Sequence, residues 1–155
     1  MGTTLETNPH VGDKQFVGTE KNTGPAPQGL KAVGTFKYRL SLNGAPIGWL
    51  GKGGSQSMWA EVVPNEKDAV NLQWYAYNGV NYLMIEGFGY MTWSGGLSGA
   101  PVAFNTWAYA NGWKEEGGRL IAIDSGAPLS EYRTDVPWLY ANKDYSVVGV
   151  TRQDV

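Results

Sequence analysis

Short runs of alternating apolar and polar residues, closed by Asn-Gly pairs, constrain this chain more than any other feature. From Thr35, the residues Phe36, Tyr38, Leu40 and Leu42 fall on one face, and Lys37, Arg39 and Ser41 on the other. That period of two belongs to a half-buried strand. The run ends at Asn43-Gly44, and the dipeptide returns at Asn78-Gly79 and Asn111-Gly112. Both central residues of a type I′ hairpin turn need positive φ, so each pair predicts a hairpin. The 22 Gly, seven Trp and nine Tyr supply the turns and flat side chains of an all-β domain. Only Glu66-Lys67-Asp68-Ala69-Val70 and Lys114-Glu115-Glu116 are expected to start helices, and Gly117-Gly118 stops the second.

Two internal groupings compete. In the first, Arg39 to Gly44, Trp74 to Gly79, Trp107 to Gly112 and Trp138 to Lys143 are repeats of one motif. In the second, Gly44-Ala45-Pro46-Ile47 and Gly126-Ala127-Pro128-Leu129 match, with Gly89-Tyr90-Met91-Thr92 in the middle slot. The second gives three units of about four strands, starting near residues 36, 80 and 118. The expected fold is a β-trefoil-like barrel of about twelve short strands in three units; an up-and-down or Greek-key β-barrel is the alternative. Residues 1–33, broken by Gly24-Pro25-Ala26-Pro27-Gln28-Gly29, read as an N-terminal arm with a short strand around Gln15 to Gly18. Residues 34–155 read as a single all-β domain.

Several functions are unsupported by this composition. Twelve basic against 14 acidic residues give a net charge of −2, which offers no field for a phosphate backbone, so no nucleic-acid partner is expected. There is no Cys, and the one His is His10 in the arm. Thiolate chemistry is therefore excluded, and neither a Ser-His-Asp triad nor a histidine-rich zinc site is expected. Carboxylate pairs exist among Glu61, Glu86, Asp124, Glu131 and Asp135, but acids on a β surface supply such pairs by chance. The expectation is no enzyme, no cofactor and no metal. Met1 to His10 lacks a basic-then-apolar leader, and no run approaches about 18 apolar residues. No transmembrane segment is expected, and the chain is expected in the cytoplasm or released without a recognisable signal peptide.

Between Ala69 and Trp113 the only charge is Glu86, while four Trp and five Tyr are present. Such a stretch either forms central core strands or faces something neutral, such as a hydroxyl-rich ligand or another subunit. Sugars bind by laying C–H faces on aromatic rings while amides and carboxylates fix the hydroxyls. The aromatics beside turns, and hence expected exposed, are Trp49, Tyr90, Trp93, Trp113, Tyr132 and Trp138; Trp59, Trp74 and Trp107 are expected in the core. A ligand site is expected near Trp93, Trp113, Asp124, Trp138 and Asn142. Trp93 and Trp113 lie next to glycine-rich backbone, Asp124 follows a strand, and Trp138 and Asn142 are four apart.

The threefold pattern is similar in style to β-trefoil lectins and to the cysteine-free trefoil protease inhibitors of mushrooms. The ricin-type Gln-x-Trp signature is not met by Gln56-Ser57-Met58-Trp59 or by Gln73-Trp74. Thr92-Trp93-Ser94-Gly95 with Phe104-Asn105-Thr106-Trp107 resembles two strands of the avidin and streptavidin family, over that span only and without its opening Thr-Gly-x-Trp element. The repeat, the neutral aromatic-rich middle and the lack of a catalytic set point to a carbohydrate-binding, lectin-like module for neutral glycans, with an oligosaccharide or glycoconjugate as partner, and the charge-poor span predicts a homodimer or larger. The alternatives are a protease inhibitor acting through the loop Gly51 to Ser57, and a membrane-active toxin.

Overall fold

The computed structural model describes residues 16–27, 34–54 and 57–155. Its strands are β1 (Phe36–Leu42), β2 (Ala45–Lys52), β3 (Ala60–Val63), β4 (Leu72–Tyr77), β5 (Val80–Ile85) and β6 (Gly89–Trp93). They continue as β7 (Val102–Asn105), β8 (Trp113–Glu116), β9 (Arg119–Ala122), β10 (Leu129–Glu131), β11 (Leu139–Ala141) and β12 (Ser146–Asp154). The only described helices are single 3-10 turns at Glu66–Asp68 and Trp107–Tyr109. No described helix is long and apolar enough to cross a membrane.

All twelve strands join one antiparallel sheet in the order β11-β10-β12-β1-β4-β5-β6-β7, with β2 bridging β1 and β3, and β9 bridging β12 and β8. The sheet is not closed: β5 meets the chain before β8 through a lone bridge, Tyr82 to Gly112. β1, β5 and β9 begin at Phe36, Val80 and Arg119, close to the expected starts near 36, 80 and 118. Three more lone bridges, Trp59 to Ala103, Pro101 to Tyr140 and Glu61 to Trp138, link the neighbourhoods of β3, β7 and β11 pairwise.

The alternation of β1 is realised in space. Phe36, Tyr38 and Leu40 are buried, Leu42 is half-buried, and Arg39 is exposed. Inward residues of the other strands, among them Leu50, Leu72, Leu83, Met91, Phe104, Trp113, Leu120 and Leu139, complete the main core. A second cluster lies on the opposite face of β4–β6, where Tyr75, Tyr82 and Tyr90 surround Trp107. Tyr82 and Tyr90 meet the indole edge-on, with centroids at 4.9 and 5.3 Å. This double burial explains the missing charges between Ala69 and Trp113. Alternate residues of β5 face the two clusters, Leu83 and Ile85 one way and Tyr82 and Met84 the other, so neither face is a free solvent surface.

The arm covers that second cluster. Asn22 Nδ2 donates to the carbonyls of Trp107 and Ala110 at 2.7 and 3.1 Å, and the Tyr75 hydroxyl donates to the Pro27 carbonyl. Val17 exchanges two 2.8 Å hydrogen bonds with the Ser94 hydroxyl, while Phe16 packs on Trp59 and Tyr109. Phe16–Gly18 forms no strand; Gln15, His10 and the other residues of 1–15, with 28–33 and 55–56, lie outside the described residues.

Several local expectations are corrected. Asn43-Gly44 and Asn78-Gly79 are turns with φ of 51° and 83°, and 51° and 78°. Asn111-Gly112 is not a turn. Asn111 is buried, and Gly112 is selected for close approach, since a Cβ there would sit 2.4 Å from Val80 Cγ1. The β8–β9 turn is made instead by Gly117 and Gly118, at φ 62° and 76°. Lys114-Glu115-Glu116 belongs to β8, because pairing with β9 overrides its helical composition. Of the four copies of the first repeat, those at Arg39 and Trp74 share a strand end and an Asn-Gly turn, while those at Trp107 and Trp138 lie in a 3-10 turn and the approach to β11.

Candidate functional site

The β9 strand ends in a tight turn. Ala122 N–H donates to Ala127 O at 2.9 Å and Gly126 N–H to Ala122 O at 2.8 Å, which turns Asp124 outward. Ile123 N–H donates to Gly112 O at 3.0 Å, drawing this turn onto the approach to β8. Asn111 sits there, its side chain enclosed and its backbone N–H on Met91 O at 3.3 Å. Between them lies a cavity of about 360 Å³ lined by Tyr82, Asn111, Asp124, Ile123 and, from the arm, Lys21 and Asn22.

Lys21 is the centre of this site. Its ammonium lies 2.9 Å from Asp124 Oδ2, donates to Asn111 Oδ1, and stands 4.9 Å from the centroid of the Trp93 ring. Two of the five expected site residues, Trp93 and Asp124, are thus brought to one point. Lys21 and Asp124 side chains are 31% and 47% exposed, so solvent screens their attraction to the order of 0–1 kcal/mol. Burial pushes the Tyr82 phenol upward, reinforced by the charges of Asp124 and Tyr77. Trp93 is half-buried, closes the β6 strand opposite Val102, and has Gly95 packed on its ring edge rather than leaving it bare.

The other expected residues lie differently. Trp113 is fully enclosed in the main core, where its Nε1–H donates to Met91 O at 3.0 Å. Its ring has no solvent face on which a ligand can stack, which corrects the sequence expectation. Trp49 and Tyr90 are likewise buried: Trp49 lies under the Arg39 guanidinium at 4.9 Å, and Tyr90 belongs to the second aromatic cluster. Trp138 is half-buried opposite Glu61. Asn142 lies beyond the end of β11. Its Oδ1 accepts from Asp144 N–H at 2.8 Å and its Nδ2 donates to Gly99 O at 3.2 Å, so the amide shapes a turn.

Sequence reasoning missed Lys21, Asn111 and Tyr82. Lys21 was indistinguishable from other arm charges, and the Asn-Gly pair disguised Asn111 as a turn residue. A second cavity, of about 290 Å³, lies between Ile47, Val62 and Pro64 and the β10–β11 loop. Glu131 lines it at 4% exposure, and burial raises its carboxyl above the ordinary value of 4.5.

No family model and no curated protein matches this chain.

Proposed function

We propose that this chain is a carbohydrate-binding, lectin-like module whose twelve strands follow a β-trefoil arrangement. The trefoil reading is supported by the strand starts at Phe36, Val80 and Arg119, four strands to a unit, and by the three bridges that link β3, β7 and β11 pairwise. The binding reading rests on one observation: a carboxylate (Asp124), an amide (Asn111) and a phenol (Tyr82) line one cavity, with the Trp93 indole beside the same ammonium. Those groups are the ones a hydroxyl-rich ring needs, with acceptors for its hydroxyls and aromatic surface for its C–H face.

Affinity per site is expected to be weak, about 4–6 kcal/mol, and self-association would supply avidity. A glycan array followed by isothermal titration tests the proposal. Binding that Asp124→Ala and Trp93→Ala each weaken while leaving the fold intact supports it. No binding to a broad panel at millimolar sugar sinks it. The protease-inhibitor reading is the second in order. Lys52, the cation of its loop, turns back onto the Gly54 and Ser57 carbonyls at 2.9 and 3.3 Å and onto the Phe88 ring at 4.0 Å. Nothing there favours a reactive loop over an ordinary connection.

A further inference from the structure

The point occupied by the Lys21 ammonium is surrounded by acceptors. Asp124 offers a carboxylate oxygen, Asn111 its Oδ1 and Trp93 a π face. Of the donors beside it, Asn22 Nδ2 is taken by two carbonyls and the Asn111 backbone N–H by Met91 O. Three acceptors converging on one point suit an ammonium, which has three hydrogens and no lone pair.

One group is left over. Asn111 is 1% exposed, and its Nδ2 is buried without a hydrogen-bond partner among the described residues. An unpaired buried donor is costly, and lysine, lacking any acceptor, cannot satisfy it. A ligand with an oxygen on the carbon adjacent to its ammonium-bearing carbon can satisfy both groups of the Asn111 amide together.

We infer that this centre takes the primary ammonium of a vicinal amino alcohol and that Lys21 is its resident competitor, displaced when such a ligand binds. Under the carbohydrate reading, on which the identity of the natural ligand rests, that ligand is a sugar bearing a free amino group. The arm thereby becomes a built-in threshold. Only a ligand that outcompetes an internal lysine gains access, and the apparent affinity falls by the fraction of molecules in which Lys21 is seated.

The test is isothermal titration of wild type, Lys21→Ala and Lys21→Met with glucosamine, N-acetylglucosamine and ethanolamine, under conditions that keep the amines protonated. Glucosamine and ethanolamine are expected to bind both Lys21 variants about tenfold or more tighter than wild type. N-acetylglucosamine, whose nitrogen carries no charge, should gain nothing, and adding Asp124→Asn should abolish the gain. Folded Lys21 variants with no gain for either amine overturn the inference. If N-acetylglucosamine binds in that case, the carbohydrate reading survives alone. If ethanolamine gains but no sugar binds, the ammonium centre stands and the carbohydrate reading falls. On the wild-type protein, saturating ethanolamine should speed tryptic cleavage after Lys21 relative to ethanol. An unchanged cleavage rate counts against displacement whatever the variants do.

Discussion

Glu131 shows how one enclosed acid ties stability to pH. The residue is 4% exposed, and its Oε1 is buried without a hydrogen-bond partner among the described residues. Asp135 lines the same cavity but is engaged by Arg133 at 3.1 Å. Because burial raises the folded-state value above 4.5, the fold favours the protonated acid. The stability it contributes is complete below that ordinary value and is lost as pH climbs through the raised one. Glu131→Gln, which cannot ionise, is therefore expected to gain in melting temperature relative to wild type as pH rises from about 4 to 8. A constant difference across that range would refute the assignment. Nothing in the local sequence Ser130-Glu131-Tyr132 announces this. The acid is enclosed where β10 is flanked by both β11 and β12, a tertiary fact.

At the scale of elements, identical dipeptides have different causes. Gly79 lies in an open turn at φ 78° with nothing within 4 Å of a would-be Cβ, whereas Gly112 has Val80 Cγ1 at 2.4 Å. Backbone strain alone opposes a side chain at the first, on the order of 1–2 kcal/mol for Ala. Asn tolerates the left-handed region, so Gly79→Asn is expected to be milder than Gly79→Ala in urea denaturation. At Gly112, Asn is expected to be worse than Ala, because there space and not φ is limiting. The reverse order at either position would undo the distinction. The same contrast marks what the sequence could reveal. The β1 alternation, two Asn-Gly turns and the all-β class were legible, since they depend on neighbours in the chain. The fate of Trp113, the strand at Lys114-Glu115-Glu116 and the meeting of Lys21 with Trp93 and Asp124 depend on which strands pair across the sheet. Trp93 and Asp124 were found by their turn settings, but the lysine that joins them comes from 72 and 103 residues earlier in the chain.

For the whole molecule, the arm is part of the packing. Removing residues 1–27 takes away the Ala26 contact, the Pro27 acceptor of Tyr75 and the Asn22 donor to Trp107 and Ala110. A loss of about 1–3 kcal/mol is expected from the orphaned polar groups alone, with new binding of a hydrophobic dye to the Tyr75–Tyr82–Tyr90–Trp107 cluster. Equal melting temperatures and no dye binding would show the arm to be dispensable. Self-association belongs at this scale too. Tyr77, Phe88 and Ile123 are among the exposed large apolar residues, and the proposed dimer predicts a species above 16.8 kDa by sedimentation equilibrium at micromolar concentration. A monomer throughout would remove avidity from the functional reading.

The pairing of β1 with β12 along Phe36–Leu42 and Val148–Asp154 also has a consequence for the order of events during synthesis. During synthesis β1 acquires its longest partner only when β12 emerges. Until then the edge of β1 that β12 fills is unsatisfied, and only the shorter β2 pairing and the single β4 contact at Phe36 hold its other edge. Contacts so distant in sequence make folding slow and leave nascent edges open to wrong partners. A nascent chain stalled before Ser146 should therefore be protease-sensitive throughout, and become resistant in one step once β12 is free.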